Sequence, residues 1–206
     1  MKNVLVTGAN GKVGKELCKR LRERDYSVVE FHRTPDSDLT NPNDIKKVFE
    51  TNEDINVVVH LAVTRNPMEN PKIRCMETLE TDTKMMFDLL RECKTYMVEQ
   101  VLYASTCAVY GFEEEPGDTI STDDLANDII SLMEPPNDEC EGYVTTNHSD
   151  NFYPEMKLNP LVYEKEHTCI NAVSKLINED ILHMWSRENN IPAVSMRFWP
   201  VEEPNV

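Results

Sequence analysis

The chain is short of cations and of glycine, and it has no long apolar run. Lysine and arginine number 21 against 37 aspartates and glutamates, a net charge of −16. A nucleic-acid or anionic-membrane surface needs a basic face, so neither partner is expected. No apolar leader or membrane-length stretch is present, which removes a membrane partner from the expectation. The six cysteines, at 18, 75, 93, 107, 140 and 169, show neither CxxC nor metal-ligand spacing. No metal site is expected, and the cysteine usage fits a reduced, soluble, cytoplasmic protein. Cys107 reads as a small buried thiol.

Glycine is scarce, with six in all, yet three of the six fall within seven residues: Gly8, Gly11 and Gly14. Before them stands Val4-Leu5-Val6, an apolar run suited to a strand buried on both faces. After them Val13, Leu17 and Leu21 repeat at helical spacing. Strand, glycine loop and helix in that order make a phosphate cradle. One glycine turns the chain, the next lets backbone approach a phosphate, and the third lets the helix pack close, while free helical N–H groups face the anion. Gly8, Asn10, Gly11, Lys12, Val13 and Gly14 are therefore candidates to hold a dinucleotide. A purely structural turn is the alternative, since any strand-to-helix turn can recruit glycine.

The same alternation continues. Strands are predicted at 27–32, 55–60, 100–104 and 192–198, and helices at 44–50, 77–93 and 167–188. Such a chain folds as an α/β protein with a doubly wound parallel sheet and right-handed crossovers, here as a single domain over 1–206. Residues 112–160 interrupt the pattern. They hold thirteen acidic residues and one basic residue, Lys157, a net −12 of the total −16, with prolines at 116, 135, 136, 154 and 160. This reads as a long acidic surface insertion, within which 125–133 could form a short helix. Its carboxylate pairs, Asp123-Asp124 and Asp138-Glu139, read as solvated surface.

A dinucleotide lies along the carboxyl ends of the strands in such a sheet. The second strand ends at Phe31-His32-Arg33, where an acidic residue would bind an adenosine ribose. Arg33, with Lys12 or His32 nearby, suits a 2′-phosphate instead, because a guanidinium offers two parallel hydrogen bonds. This tilts the cofactor toward NADP over NAD. Asp38 could accept from an adenine amino group, and Thr40 could cap the following helix. The third strand ends at His60-Leu61-Ala62-Val63, small enough for a pyrophosphate and ribose to lie against backbone.

Five ordered motifs carry a resemblance: Thr7-Gly8-x-x-Gly11-x-x-Gly14, Asp38-Leu39-Thr40, His60-Leu61-Ala62, Ser105-Thr106-x-x-Val109-Tyr110-Gly111 and Ser174-Lys175-x-x-Asn178-Glu179. Together, over 1–111 and about 165–201, they resemble the extended short-chain dehydrogenase/reductase family, the NAD-dependent epimerases and dehydratases of nucleotide sugars. The resemblance implies a Rossmann-type domain in which Gly8, Gly11 and Gly14 hold pyrophosphate, Asp38 and Leu39 meet adenine, and Leu61 and Ala62 line the ribose path. It assigns Thr106 a catalytic hydroxyl and Lys175 the lysine that lowers a tyrosine pKa and binds ribose. It also implies dimerisation through the long helices, where Met85, Met86, Leu89 and Leu90 serve an interface or the core.

The chain departs from the family pattern in three places. Four residues before Lys175, where the family has its proton-relaying tyrosine, stands Asn171, which has no titrating hydroxyl. Tyr143, Tyr153 and Tyr163 lie elsewhere. Arg197-Phe198-Trp199 is followed by Pro200 rather than the expected asparagine, and the carboxyl-terminal substrate lobe is expected to be largely absent. Three functions follow: hydride transfer on a nucleotide sugar or related carbonyl with an impaired proton relay, a non-catalytic dinucleotide-binding sensor or subunit, or a decayed family member.

Overall fold

The computed structural model describes residues 2–52, 54–64, 75–106, 109, 120–133, 143–147, 170–198 and 201–202. In chain order the elements are β1 (Asn3–Thr7), α1 (Lys12–Glu23), β2 (Ser27–Phe31), α2 (Pro42–Thr51), β3 (Ile55–His60), α3 (Cys75–Thr95) and β4 (Gln100–Thr106). They are followed by β5 (Ile120–Ser121), α4 (Thr122–Met133), β6 (Tyr143–Asn147), α5 (Ile170–Asn189), β7 (Ala193–Phe198) and β8 (Val201–Glu202). Six strands form one parallel sheet in the order β2-β1-β3-β4-β7-β6, and β5 pairs with β8 apart from it.

The strands read as unbroken apolar runs because both faces of the sheet are covered, yet their side chains sort by the two-residue period of a strand. Val4, Val6, Val57, Val59, Leu102, Val194 and Met196 point to one face, under Leu17 and Leu21 of α1 and Leu125 and Ile129 of α4. Leu5, Val58, Val101 and Tyr103 point to the other, under Ile45 and Phe49 of α2, Leu89 of α3 and Leu182 of α5. Met85, Met86, Leu89 and Leu90 are all buried, so these four serve the core; Met76, Phe87 and Met184 are exposed apolar residues of the two long helices.

Asn41, rather than Thr40, caps α2, its side chain accepting from the Asn43 N–H at 3.1 Å with Pro42 in the first turn. The acidic stretch holds more regular structure than its charge suggests. Within 112–160, α4 buries Leu125, Ala126, Ile129, Ile130 and Met133, and Arg20 of α1 and Arg24 at its C-cap bind Asp123 and Asn127 on it at 2.5 and 2.9 Å. Strand β6 extends the main sheet. The short helix expected at 125–133 is present as α4, starting at Thr122, and β6 is the regular element the reading did not anticipate: net charge averages over a stretch, whereas burial follows the period of its apolar members. Cys107, Tyr110, Gly111, Tyr153, Tyr163, Trp199, Pro200, the helix start expected at 167–169 and the remainder of 112–160 outside 120–133 and 143–147 lie outside the described residues. No described helix is long and apolar enough to cross a membrane.

Candidate functional site

The turn after β1 is built by close backbone contact. Gly8 has φ +71° and its N–H donates to the Phe31 carbonyl of β2 at 2.9 Å, while its own carbonyl accepts from Gly11 N at 2.9 Å. A Cβ on Gly8 would sit 2.8 Å from Ala62 N, and one on Gly14 would sit 2.4 Å from Gly8 O and 2.8 Å from Ala9 Cα. Gly11 is the N-cap of α1; no side chain caps this helix and its first turn carries no acid. The positive end of the helix dipole therefore keeps its N–H groups for an anion.

A groove of about 610 Å³ starts at this turn and runs over the strand ends. Gly8, Asn10 and Gly11 line its head, Arg33, Asp38 and Leu39 one side, and Leu61, Ala62 and Val63 its floor. Lys12, Val13 and Gly14 stand beside it in the first turn of α1 rather than in its lining. The sequence reading missed Thr64 and a set on α3, Glu77, Thr78, Thr81 and Met85. The spacing 78, 81, 85 was visible as a helical stripe, but nothing in it said that the stripe faces a groove. Thr78 is 2% exposed and its hydroxyl has no hydrogen-bond partner among the described residues. A buried donor left unpaired costs about 1–3 kcal/mol, so a ligand that pairs with it regains that loss.

Arg33 and Asp38 form an ion pair, Nε to Oδ2, at 2.9 Å; the arginine is 78% exposed. Asp38 also accepts from Thr40 N at 2.9 Å. With its arginine open to solvent the pair is worth at most about 1 kcal/mol, so a phosphate can compete for Arg33.

Thr106 and Lys175 lie away from this lining. Thr106 ends β4, half-buried and in register with Phe198. Lys175, on α5, is 8% exposed, donates Nζ–H to the Ala104 carbonyl at 2.5 Å and lies 4.5 Å from the centroid of the Tyr103 ring. Burial pulls its ammonium down to about 8, opposed by the carboxylates of Asp82 and Glu179. Glu179 is held by both Nε and Nη2 of Arg197, at 3.0 and 2.6 Å, and by the Ser105 hydroxyl. Position 171 stands one helical turn before Lys175 on α5.

His60 is buried beneath the groove floor. Thr7 Oγ1 accepts from Ala62 N at 3.3 Å and lies 2.7 Å from His60 Nδ1. The ring tautomer sets which of the two donates in that bond, and either way the neutral ring is held by the threonine. Burial, aided by the Lys175 charge, lowers the imidazole to about 3. Between about 3 and 6.5 the unfolded chain binds a proton at His60 that the folded chain refuses, so stability rises with pH across that window and is lost on acidification. The slope from this one group reaches at most about 1.4 kcal/mol per pH unit. In His60→Asn, urea midpoints measured from pH 6.5 down to 4 should fall more gently than in the wild type; parallel curves would show that His60 is not the acid-sensitive group.

Residues 4–129 match the NAD dependent epimerase/dehydratase family. GDP-6-deoxy-D-talose 4-dehydrogenase of Aggregatibacter actinomycetemcomitans is 35% identical over 116 residues, covering 54% of this chain and 37% of that protein. In fold the chain is similar to UDP-glucose 4-epimerase of Thermus thermophilus, solved with NAD, at a TM-score of 0.63 and 18% identity over 95% of this chain and 54% of that one. It is also similar to a GDP-L-fucose synthetase of Naegleria fowleri bound to NADP, at 0.62 and 16% over 94% and 52%. The chain thus spans about half the length of these solved relatives. A parallel sheet of this topology, a glycine turn feeding an uncapped helix, and a match over 4–129 together identify the chain as a member of the NAD-dependent epimerase/dehydratase family, in the extended branch of the short-chain dehydrogenases/reductases.

Proposed function

We propose that this chain binds NAD(P) along the groove, with NADP preferred, and serves hydride transfer on a nucleotide sugar or a related carbonyl compound in the cytoplasm. The observation that carries the reading is the uncapped N-terminus of α1 packed on Gly8 and Gly14 at the head of the groove, a cradle that any Cβ would fill. Bound there, the nicotinamide would supply hydride exchange with a carbonyl. The backbone around Gly8, Asn10, Gly11 and Lys12 would hold pyrophosphate, Asp38 and Leu39 would meet adenine, and Leu61, Ala62 and Val63 would wall the ribose. Thr106 would offer a hydroxyl and Lys175 a cation at the other end.

A second reading, a dinucleotide-binding protein without turnover, draws on Asn171 and on Lys175, whose ammonium is already engaged by Ala104 O and the Tyr103 ring. Both readings share the binding step. Arg33 supports the NADP preference because it lines the groove, is itself exposed, and pairs there with Asp38. Arg33→Ala should weaken NADPH binding about tenfold or more and leave NADH unchanged, the cost of one charge-assisted hydrogen-bond pair. Equal losses for both nucleotides in fluorescence titrations would remove Arg33 from the 2′-phosphate.

A further inference from the structure

Asp82 lies mid-way along α3 and is 5% exposed, among the most deeply buried carboxylates of the fold. Its Oδ1 accepts from Thr64 N at 3.0 Å and from Thr64 Oγ1 at 2.8 Å, and its Oδ2 accepts from Ser174 Oγ at 2.9 Å. Thr64 is part of the groove wall, and Ser174 immediately precedes Lys175. One carboxylate thus ties the loop after β3 to α3 and to the helix that carries the lysine.

The charges explain why an acid is needed there. Lys175 is faced by Asp82 from α3, Glu179 from its own helix, His60 from β3 and Tyr103 from β4. His60 is neutral, and Glu179 is matched by the two-pronged contact from Arg197 of β7. Among the described residues the donors to Asp82 are all neutral, and its carboxylate acts on Lys175 in the sense that favours the ammonium. A buried cation without such a partner would lose its proton.

We propose that Asp82 is a positioning residue, which through Ser174 and by its charge holds Lys175 as an ammonium at a fixed place while clamping Thr64 onto the groove. The role assigned to Lys175 rests on the dinucleotide reading above; the hold on Lys175 itself does not.

The test reads Lys175 directly in the full chain, isotope-labelled at the lysine ε-carbons, with its resonance identified by its loss in Lys175→Arg. The wild-type signal should titrate near pH 8. Asp82→Asn should lower the midpoint by about one unit or more, a tenfold loss of proton affinity, and Asp82→Ala, which leaves no amide to satisfy, should do the same. An unchanged midpoint in a folded variant overturns the proposal. A second arm measures NADPH affinity in a double-mutant cycle: Asp82→Asn and Lys175→Met should each weaken binding about tenfold, and the double variant no further. Fully additive losses show that Asp82 does not act through Lys175 and overturn the positioning role. A wild type that binds no NADPH, with the midpoint still lowered in the Asp82 variants, would instead remove the dinucleotide reading and leave the Asp82 to Lys175 coupling in place.

Discussion

Gly14→Ala is expected to cost about 3 kcal/mol of folding stability and to abolish dinucleotide binding, the upper end of what overpacking exacts. The new Cβ would lie 2.4 Å from Gly8 O, 2.8 Å from Ala9 Cα and 2.9 Å from Ala9 C, all main-chain atoms of the turn. No side chain can rotate away to make room. The helix cannot lift either, because Leu17 and Leu21 on the same element are fully buried against Val4, Val57 and their neighbours. Gly11→Ala provides the contrast. Its Cβ would meet only Gly8 O, at 3.2 Å, and its φ of −68° suits any residue. That variant should fold with little loss while crowding the approach of a phosphate. Urea denaturation and NADPH titration of both variants separate the two effects. Wild-type stability in Gly14→Ala would refute the packing argument.

Asn171→Tyr is expected to raise NADP(H)-dependent turnover on UDP- and GDP-sugars by about a hundredfold or more, the usual range for a positioned general base. Residues 171 and 175 are one turn apart on α5, so a phenol introduced there shares a helix face with the lysine. A phenol titrates near 10 in water and needs a neighbouring cation to act as a base at neutral pH. Lys175 is buried, and Asp82 and Glu179 act against the loss of its charge. Lys175→Met in the same background should erase the gain. A variant that binds NADPH as the wild type does, yet turns over no faster, would show that position 171 does not limit the reaction.

The sheet was legible because parallel strands covered on both sides leave apolar runs such as Val4-Leu5-Val6 and Val57-Val58-Val59, and the groove head because three of six glycines crowd into one turn. The acidic stretch left α4 legible, because the apolar residues of 125–133 recur at helical spacing among its carboxylates, whereas β6 carried no such signal. Tertiary placement was not legible. Nothing local tells that Asp38 meets Arg33, that Thr78 faces the groove, or that Lys175 turns its ammonium to Ala104 O. Asp82 reads in sequence as a polar residue of an amphipathic helix. Its burial follows from Ser174 and Thr64, which reach it from 92 and 18 residues away.

The central claim is that the groove at Gly8–Gly14 holds a dinucleotide. It is tested most directly by calorimetric titration of the wild-type chain with NADPH and with NADH. Saturable one-to-one binding, tighter for NADPH by about tenfold or more as one charge-assisted phosphate contact requires, is the expected result. Absence of saturable heat with either nucleotide would contradict the account.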